Sequence, residues 1–265
     1  MYRQMYYAAN SFASNKKKTM KRLTNKVVFI TGGSRGMGAG IAKRVAAEGA
    51  DVVITYVHAA DQAKQVVDDI KKIGQQALAL AVDNASPDAI AEAIEKTVAT
   101  FGRIDVLVNN AGIFIGKPLA EYTLADFDST MSVNVRAVFL ASQKAATYMN
   151  EGGRIITIGS NMAERVARPT ASLYAMSKSA LVGLTKGLAR DLGSRGITVN
   201  LVQPGPVDTD MNPANGAHAD SLRSGMAIPK YGQPKDIAEL VAYLASEESW
   251  FMTGASLTID GGFSI

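Results

Sequence analysis

The sequence contains no cysteine, only two histidines and a single tryptophan among 265 residues. Without cysteine, structural disulfides and thiolate chemistry are excluded, and this composition is typical of a cytoplasmic protein. His58 and His218 offer little material for a metal centre, so we expect no bound metal. No stretch approaches the 18 or so consecutive apolar residues of a membrane-spanning helix, so we expect no membrane partner.

Acidic residues are missing from the first 22 positions, where six basic residues lie. Residues 23–265 carry 22 basic and 24 acidic side chains, so the net charge of +4 arises in the tail. A near-neutral body predicts no nucleic-acid partner, the alternative being salt-sensitive binding through the tail. We interpret residues 1–24 as a basic, disordered N-terminal extension. A transit peptide, or a native start at Met20, remains open.

Short β-branched runs alternate with helical patterns from residue 26 onward. The strand-like segments are 27–31, 51–56, 77–82, 105–110, 154–160, 197–202 and 255–259. Helical periodicity covers 36–50, 59–73, 87–101, 120–150, 173–194 and 235–246. Strands without in/out alternation, each followed by a helix, predict a parallel sheet covered on both faces. The fold class is therefore α/β, with residues 25–265 forming one doubly wound domain of about seven strands.

One long segment, residues 208–230, mixes Asn, Pro, Gly, Ala and Met without a clean period. In a compact domain, irregular segments of this length are usually functional or mobile. We therefore predict a substrate flap over the active site at 208–230.

A glycine cluster follows the first strand and leads directly into a helix. Glycines let the backbone turn sharply and let a pyrophosphate approach, while the helix N-terminus supplies N–H donors for the anion. This context of strand, glycines and helix favours dinucleotide binding over a purely structural turn. The predicted contacts from the loop are Gly32, Ser34, Arg35, Gly36, Met37 and Gly38.

The end of the second strand lacks the carboxylate that normally accepts from the 2′-hydroxyl of NAD. Tyr56 and His58 lie there instead, and Arg35 stands in the glycine loop, where a guanidinium suits a 2′-phosphate. The missing carboxylate and the added cation both predict NADP(H) as the cofactor. The alternative is that Arg35 is only a solvated cation of the loop, with no role in cofactor binding.

Tyr174 and Lys178 lie four positions apart on a predicted helix, so their side chains share one face. A nearby ammonium favours the phenolate and is expected to lower the tyrosine pKa towards the range of general acid catalysis. Ser160 ends a strand at the carboxyl edge of the sheet, where its hydroxyl can bind a substrate carbonyl. Asn134 is a polar residue on an apolar helix face, so it needs a hydrogen-bond partner.

Several ordered motifs together resemble the core subfamily of the short-chain dehydrogenase/reductases over residues 25–265. They are Thr31-Gly32-(x)3-Gly36-x-Gly38, Asn109-Asn110-Ala111-Gly112, Asn134, Ser160, Tyr174-(x)3-Lys178 and Pro204-Gly205-(x)3-Thr209. The resemblance is closest to 3-oxoacyl-[acyl-carrier-protein] reductase-like members. It implies a Rossmann-type fold, a helix broken at Asn134 with a water behind it, and a homotetramer formed through helices at 136–149 and 175–190. The spacing of 14 residues between Ser160 and Tyr174 exceeds the 13 of many relatives, which leaves the wall at 161–173 uncertain.

The resemblance also implies a catalytic set and further cofactor contacts. The catalytic residues would be Asn134, Ser160, Tyr174 and Lys178. Additional cofactor contacts would come from Tyr56, His58, Asp83, Asn84, Asn109, Ala111, Gly112, Tyr174, Lys178, Pro204, Gly205, Val207 and Thr209, although Asn109–Gly112 also fits a turn.

The expected activity is NADPH-dependent reduction of a ketone to a secondary alcohol, with Tyr174 as the proton donor. The flap has only two cations, Arg223 and Lys230, that could bind the phosphate of a phosphopantetheine arm. This small number favours a small or medium apolar ketone over a phosphopantetheine-linked one. Two alternatives remain: a 3-oxoacyl-ACP reductase proper, or a catalytically silent NADP(H)-binding sensor or scaffold. Retention of all four catalytic residue types argues against the silent protein.

Overall fold

Seven parallel strands form the centre of the fold. In the computed structural model, which describes residues 21–265, they are β1 (Val27–Ile30), β2 (Asp51–Tyr56), β3 (Ala77–Ala81), β4 (Val106–Asn109), β5 (Arg154–Ile158), β6 (Thr198–Pro204) and β7 (Ser256–Ile259). The strand order across the sheet is β3-β2-β1-β4-β5-β6-β7, and all neighbouring pairs are parallel. The predicted doubly wound α/β domain with about seven strands is confirmed.

Helices cover both faces of this sheet. They are α1 (Gly36–Ala47), α2 (Ala60–Lys72), α3 (Pro87–Phe101), α4 (Leu124–Met131), α5 (Ala137–Ala146), α6 (Ser172–Leu192), α7 (Ala219–Ser224) and α8 (Pro234–Ala245). One hydrophobic core lies beneath α1, α2 and α8, and another beneath α3, α5 and α6. No helix within residues 21–265 combines the length and apolarity needed to cross a bilayer.

Burial on both faces explains why the strands are continuously apolar. In β1, Val28 and Ile30 point into the core beneath α1, whereas Phe29 between them points into the opposite core. All three side chains are fully buried. Successive side chains of a strand alternate between faces, so both alternating sets must be hydrophobic when helices cover both sides.

Local signals set the helix ends. Helix α3 begins after Ser86, whose hydroxyl accepts from Ala89 N–H, and it ends at Gly102 in the left-handed conformation. Thr123 and Asp126 form a reciprocal capping box at the start of α4. The two helical stretches predicted within 120–150 are α4 and α5, which a π-turn over Ser132–Arg136 separates.

The order in which the chain adds strands to the sheet reverses between β1 and β4. Strands β2 and β3 lie on one side of β1, and β4 to β7 lie on the other side. A crevice opens where such a reversal occurs, beyond the carboxyl ends of the strands, and ligands of doubly wound sheets bind there. The fold therefore places the binding region between the loops that follow β1 and β4.

Residues 21–24 pack against the domain, although the sequence analysis assigned them to the extension. Leu23 is fully buried in the core beneath α1, and the Arg22 guanidinium donates to Glu48 at 2.8 Å. The folded domain thus begins before the predicted boundary at residue 25, because an apolar side chain fills the core there. Residues 1–20, and with them most of the predicted extension, lie outside the described residues.

The segment 208–230 contains the short helix α7 and is attached to the body at both ends. Near its start Val207 pairs with Gly232 in an isolated parallel bridge. Near its end, Ile228 N–H donates to Gly261 O at 2.8 Å. Backbone hydrogen bonds thus attach the two ends of this predicted flap to the body, and its middle has none of this kind among residues 21–265. The middle includes Met211, whose side chain is exposed.

Candidate active site

A cleft of about 1300 Å³, partly open to solvent, lies beyond the carboxyl ends of β1, β2 and β3. Most of the predicted cofactor contacts line it. These are Gly32, Ser34, Arg35, Gly36, Met37, Gly38, Tyr56, His58, Asp83, Asn84, Ala111, Gly112 and Thr209. Residues from five separate stretches of the sequence thus line one cleft, which lies at the crevice where the strand order reverses.

The glycine loop is held in a conformation that side chains would disrupt. Gly32 and Gly36 have φ values of +66° and +54°, in the left-handed region that favours glycine. A Cβ on Gly38 would collide with the carbonyl oxygen of Gly32. The Asn110 side-chain amide donates to the carbonyl oxygens of Thr31 and Gly32, both at 2.9 Å, and so fixes the loop from the β4 side.

The first turn of α1 leaves its N–H groups available to an anion. Arg35 is the residue before the helix, and its side chain makes no capping hydrogen bond. No acidic residue stands in that first turn. Unpaired donors and the positive end of the helix dipole face the cleft, which suits a pyrophosphate. The residues present therefore fit a dinucleotide.

Arg35 forms an ion pair across the mouth of the cleft with Asp210, at 3.1 Å. The two side chains are 63% and 62% exposed, so the pair is well solvated. At the end of β2 the cleft is lined by Tyr56, Val57 and His58, with no carboxylate among them. Among residues 21–265, Arg35 is the one Lys or Arg that lines this cleft.

One buried polar atom in the cleft wall has no hydrogen-bond partner. Asn84 is 7% exposed, and its Oδ1 makes no hydrogen bond with any described residue. A buried acceptor without a partner carries a free-energy cost of about 1–3 kcal/mol. Asn84 stands next to Asp83 at the wall where an adenine is predicted, and the amino group of adenine is a donor of the kind this oxygen lacks.

Asn109 departs from the predicted set. Its side chain is 2% exposed and does not line the cleft. The amide donates to Ser142 Oγ at 3.1 Å and to Thr157 Oγ1 at 3.5 Å. These bonds connect β4 to α5 and β5, so the side chain of Asn109 serves the core, and a cofactor contact from this residue stays a prediction. The neighbouring Asn110 faces the glycine loop instead.

A second cavity, of about 870 Å³, adjoins the cleft, and we refer to it as the side cavity. Met37, Thr209 and Met211 line both spaces. Predicted site residues in its wall are Ser160, Tyr174, Pro204, Gly205 and Val207. Its other lining residues are Phe114, Gly159, Asn161, Met162, Ala167, Arg168, Pro206, Asn212, Leu222 and Phe263. A ligand here would touch the reactive tyrosine and lie beside a dinucleotide in the cleft.

Tyr174 lies in the first turn of α6, and its ring packs edge-on against Phe114 with 5.1 Å between centroids. Burial raises the pKa of Tyr174, and a hydrogen bond with Ser160 and the charge of Arg168 oppose this only in part. The sequence predicted a lowered pKa because of Lys178. That expectation fails because removal of the phenolate from water outweighs the charges nearby.

Lys178 is 4% exposed and donates from Nζ to the carbonyl oxygen of Ile158 at 2.9 Å. Its Nζ lies 5.7 Å from the centre of the Tyr174 ring, on the shared helix face that the sequence predicts. Burial lowers the pKa of Lys178 to about 8. The lysine is therefore mainly an ammonium at neutral pH, although less firmly than a lysine in water.

Asn134 lies within the π-turn, so the predicted break of the helix occurs at this residue. Its amide oxygen accepts from Ile113 N–H at 2.9 Å, and its Nδ2 donates to Ile113 O and Ser177 Oγ, each at 3.0 Å. A Cβ on Gly112 would lie 3.4 Å from Asn134 Oδ1 and 3.5 Å from Lys178 Nζ. Asn134 and Lys178 thus line the same narrow space, and the water between them remains a prediction.

Sequence reasoning missed several residues of the side cavity. Phe114 is the second residue after the Asn-Asn-Ala-Gly motif, so its closeness to the site could have been found. Arg168 and Phe263 carry no local signal, because one lies in an irregular stretch and the other near the C-terminus. Within residues 21–265 no group of three or more His, Cys, Asp or Glu side chains could hold a metal ion.

Comparison with known proteins gives a family match over nearly all of the folded chain. The family model described as enoyl-(acyl carrier protein) reductase matches residues 32–264. A solved short-chain dehydrogenase from Burkholderia cenocepacia, in complex with NADP, shares 55% sequence identity with a TM-score of 0.91. The match covers 92% of this chain and 100% of that one.

Two curated relatives carry different functional descriptions. The cyclic-di-GMP-binding biofilm dispersal mediator protein of Escherichia coli is 46% identical over 244 residues, covering 92% of this chain and 99% of that protein. A hydroxynaphthalene reductase-like protein of Metarhizium robertsii is 35% identical over 263 residues, covering 94% and 98%. Proteins that share this whole domain are therefore described as acting on different ligands.

Proposed function

The chain belongs to the short-chain dehydrogenase/reductase family of oxidoreductases, and we propose that it uses NADPH to reduce a ketone to a secondary alcohol. One observation carries the proposal: Tyr174 and Ser160 line a cavity that shares a wall with the dinucleotide cleft. A carbonyl held by these hydroxyls would lie next to the cofactor, as hydride transfer requires.

NADP(H) is the cofactor that the cleft favours. Arg35 provides a cation in the cleft, and the end of β2 at Tyr56, Val57 and His58 carries no carboxylate, although Asp210 from the flap pairs with Arg35. The solved relative from Burkholderia cenocepacia holds NADP, in agreement with the sequence-based prediction. The α1 N-terminus and the glycine loop would hold the pyrophosphate, and Asn84 and Asp83 the adenine. When bound, NADPH supplies the hydride that reduces the carbonyl carbon.

Tyr174 is the proposed proton donor. Because burial raises the pKa of Tyr174, the phenol stays protonated at neutral pH. Reduction requires this form, since the carbonyl oxygen gains a proton as the carbon gains hydride. Ser160 Oγ accepts from Met162 N–H at 3.1 Å, which orients the hydroxyl, and a bound carbonyl oxygen would accept the Ser160 proton in place of Tyr174.

Lys178 and Asn134 are proposed to stabilise and restore this donor. After proton transfer, Tyr174 carries a negative charge, and the Lys178 ammonium 5.7 Å from the ring centre offsets it. The bond to Ile158 O uses one of the three ammonium protons and leaves two for the space lined by Gly112 and Asn134. Those two protons suit the predicted ribose contact and a path to solvent.

The test is consumption of NADPH with a panel of ketones, followed by absorbance, with NADH alongside. We expect turnover with NADPH and much less with NADH. Tyr174→Phe removes the transferable proton and keeps the ring that packs on Phe114, so it should abolish turnover while NADPH binding stays nearly intact. Retained activity in this variant would refute the role of Tyr174.

A small or medium, largely apolar ketone suits the side cavity better than a carrier-bound thioester. In the flap, Arg223 is already engaged by Asp220 at 2.6 Å, so it is a poor ligand for the phosphate of a phosphopantetheine arm. A 3-oxoacyl-ACP reductase proper would reduce an acetoacetyl thioester of acyl carrier protein far better than simple ketones. Equal or better turnover of simple ketones supports our proposal.

A nucleotide-binding regulator is a second candidate, favoured by the 46% identity to the cyclic-di-GMP-binding protein. The cleft offers the same helix N-terminus and glycine loop to any bridged phosphate. Calorimetric titration with cyclic di-GMP, with and without saturating NADPH, separates the candidates. Tight cyclic di-GMP binding without ketone turnover would support the regulator.

We also propose a homotetramer acting in the cytoplasm. The helices named for this assembly, around 136–149 and 175–190, carry the apolar side chains of Phe139 and Met176, which are 42% and 41% exposed. Such exposed apolar groups on small-residue helices suit close helix contact between copies. Mass measurement in solution tests the assembly, and a stable monomer would contradict it.

A further inference from the structure

Of the described residues that line the side cavity, one is a cation, Arg168, and none is acidic. Its guanidinium forms no ion pair with a carboxylate of residues 21–265. Other arginines nearby are engaged: Arg165 donates to the C-terminal carbonyl oxygens of Phe263 and Ile265, and Arg223 pairs with Asp220. Arg168 is therefore the uncompensated positive charge of this cavity.

Two aromatic contacts fix where that charge lies. The guanidinium stacks over the Phe114 ring, with 5.2 Å between its central carbon and the ring centroid. Phe114 packs edge-on against Tyr174 with 5.1 Å between centroids. By the sum of these two distances, the guanidinium carbon is at most about 10 Å from the centre of the Tyr174 ring. A small molecule can therefore touch both groups.

The charge of Arg168 reaches the reactive part of the cavity. Burial raises the pKa of Tyr174 and that of the buried Tyr231, and the charge of Arg168 opposes part of the rise at both, at Tyr231 together with Arg223. The guanidinium lies over the Phe114 ring and has no ion-pair partner among residues 21–265, so its N–H donors can serve a ligand. Those donors form a fork that matches the two oxygens of a carboxylate.

We propose that Arg168 is the binding residue for a carboxylate on the substrate, so that the natural ketone is an oxo acid. This inference rests on the proposed reduction and names its substrate class. The carbonyl oxygen lies at Tyr174 and Ser160, and the carboxylate lies at Arg168, a few bonds further along an apolar chain. Apolar lining residues, among them Phe114, Met211 and Phe263, would contact that chain.

The experiment compares each oxo acid with its uncharged methyl ester. Suitable probes are 3-oxobutanoate, 4-oxopentanoate and 6-oxoheptanoate with their methyl esters, each assayed with NADPH. A charge-assisted hydrogen bond in such a site corresponds to about a ten- to hundred-fold change in kcat/KM. We expect at least one acid of the series to exceed its ester by that factor in the wild-type protein.

Arg168→Met keeps an apolar side chain over Phe114 and removes the charge. It should abolish the preference for the acid, mainly through KM, while kcat/KM for the ester stays within about two-fold. Arg168→Lys should restore part of the preference. Lys230→Met is the matched control, since it removes one exposed positive charge outside the cavity wall and should leave the acid-to-ester ratio unchanged.

Equal losses for acid and ester in Arg168→Met would overturn the proposal, because they would indicate that Arg168 only supports Phe114. A wild-type preference for every ester would overturn it too. If no ketone is reduced at all, the proposed reduction fails, and calorimetric titration of the same acids into the NADPH complex then decides. Tighter binding by wild type than by Arg168→Met supports the subsite, and equal binding overturns it.

Discussion

Arg35 has two competing anions: Asp210 on the flap, and the 2′-phosphate of the proposed cofactor. The pair with Asp210 is highly exposed, so it contributes only about 0–1 kcal/mol. A bidentate, charge-assisted contact with a phosphate contributes about 1.5–3 kcal/mol. We therefore expect Arg35→Gln to raise the Kd for NADPH by about 10- to 150-fold, at about 1.4 kcal/mol per factor of ten. The Kd for NADH, which lacks the phosphate, should change by less than about three-fold.

Asp210→Asn tests the competition from the other side. Releasing Arg35 from an exposed pair should tighten NADPH binding by up to about five-fold, the equivalent of 1 kcal/mol. In the Arg35→Gln background the same substitution should have little effect, because the competing partner is gone. The double-mutant cycle thus isolates the coupling between the glycine loop and the flap.

The assay is titration followed by the fluorescence of the reduced cofactor, at low and at moderate salt, for the four proteins and both cofactors. The effects should shrink as salt rises, because exposed charges are screened. Equal weakening of NADPH and NADH in Arg35→Gln would refute the reasoning, since it would indicate damage to the glycine loop. Weaker NADPH binding by Asp210→Asn would show that Asp210 supports the site and does not compete for Arg35.

Two further predictions concern stability and the buried lysine. Gly38→Ala should abolish NADPH binding or destabilise the fold, because the added Cβ would collide with the Gly32 carbonyl oxygen. The control Gly193→Ala places its Cβ in open space at a helical φ, so it should stabilise the folded protein by about 0.5–1 kcal/mol. Thermal melts and NADPH titration measure both effects. The pKa of Lys178 falls from 10.5 to about 8 on folding, so the folded chain binds fewer protons than the unfolded chain between those values. Wild-type stability should therefore rise relative to Lys178→Met by about 2–3 kcal/mol from pH 8 to pH 10 in urea unfolding, and a fall would contradict the burial of an ammonium.

The sequence predicts the framework because its signals are local. Val28, Phe29 and Ile30 identify a strand buried on both faces, and the glycines that follow identify a backbone that no other residue could adopt. Tyr174 and Lys178 share a helix face by spacing alone, and the structure places them accordingly. Each of these inferences depends on neighbours within one or two turns of the chain.

The rest depends on contacts between distant segments. Arg168 and Asp210 reach the site only through loops whose path is set by tertiary packing, so no spacing indicates them. Asn109 and Asn110 are adjacent and chemically identical, yet one is buried against α5 while the other holds the glycine loop. The direction of the Tyr174 pKa shift was missed for a similar reason, because desolvation reflects all surrounding atoms, whereas the sequence shows only the nearest charge.

The buried side chains of Tyr174 and Lys178 also indicate how the charge of the substrate affects proton transfer. Burial disfavours charge on Tyr174 and on Lys178, so the resting site favours the neutral phenol that reduction consumes. The charge of Arg168 opposes part of that rise in the pKa of Tyr174. A carboxylate bound at Arg168 would cancel much of this influence. An oxo acid would then both fill the cavity and neutralise Arg168, whereas a neutral ketone would do only the first.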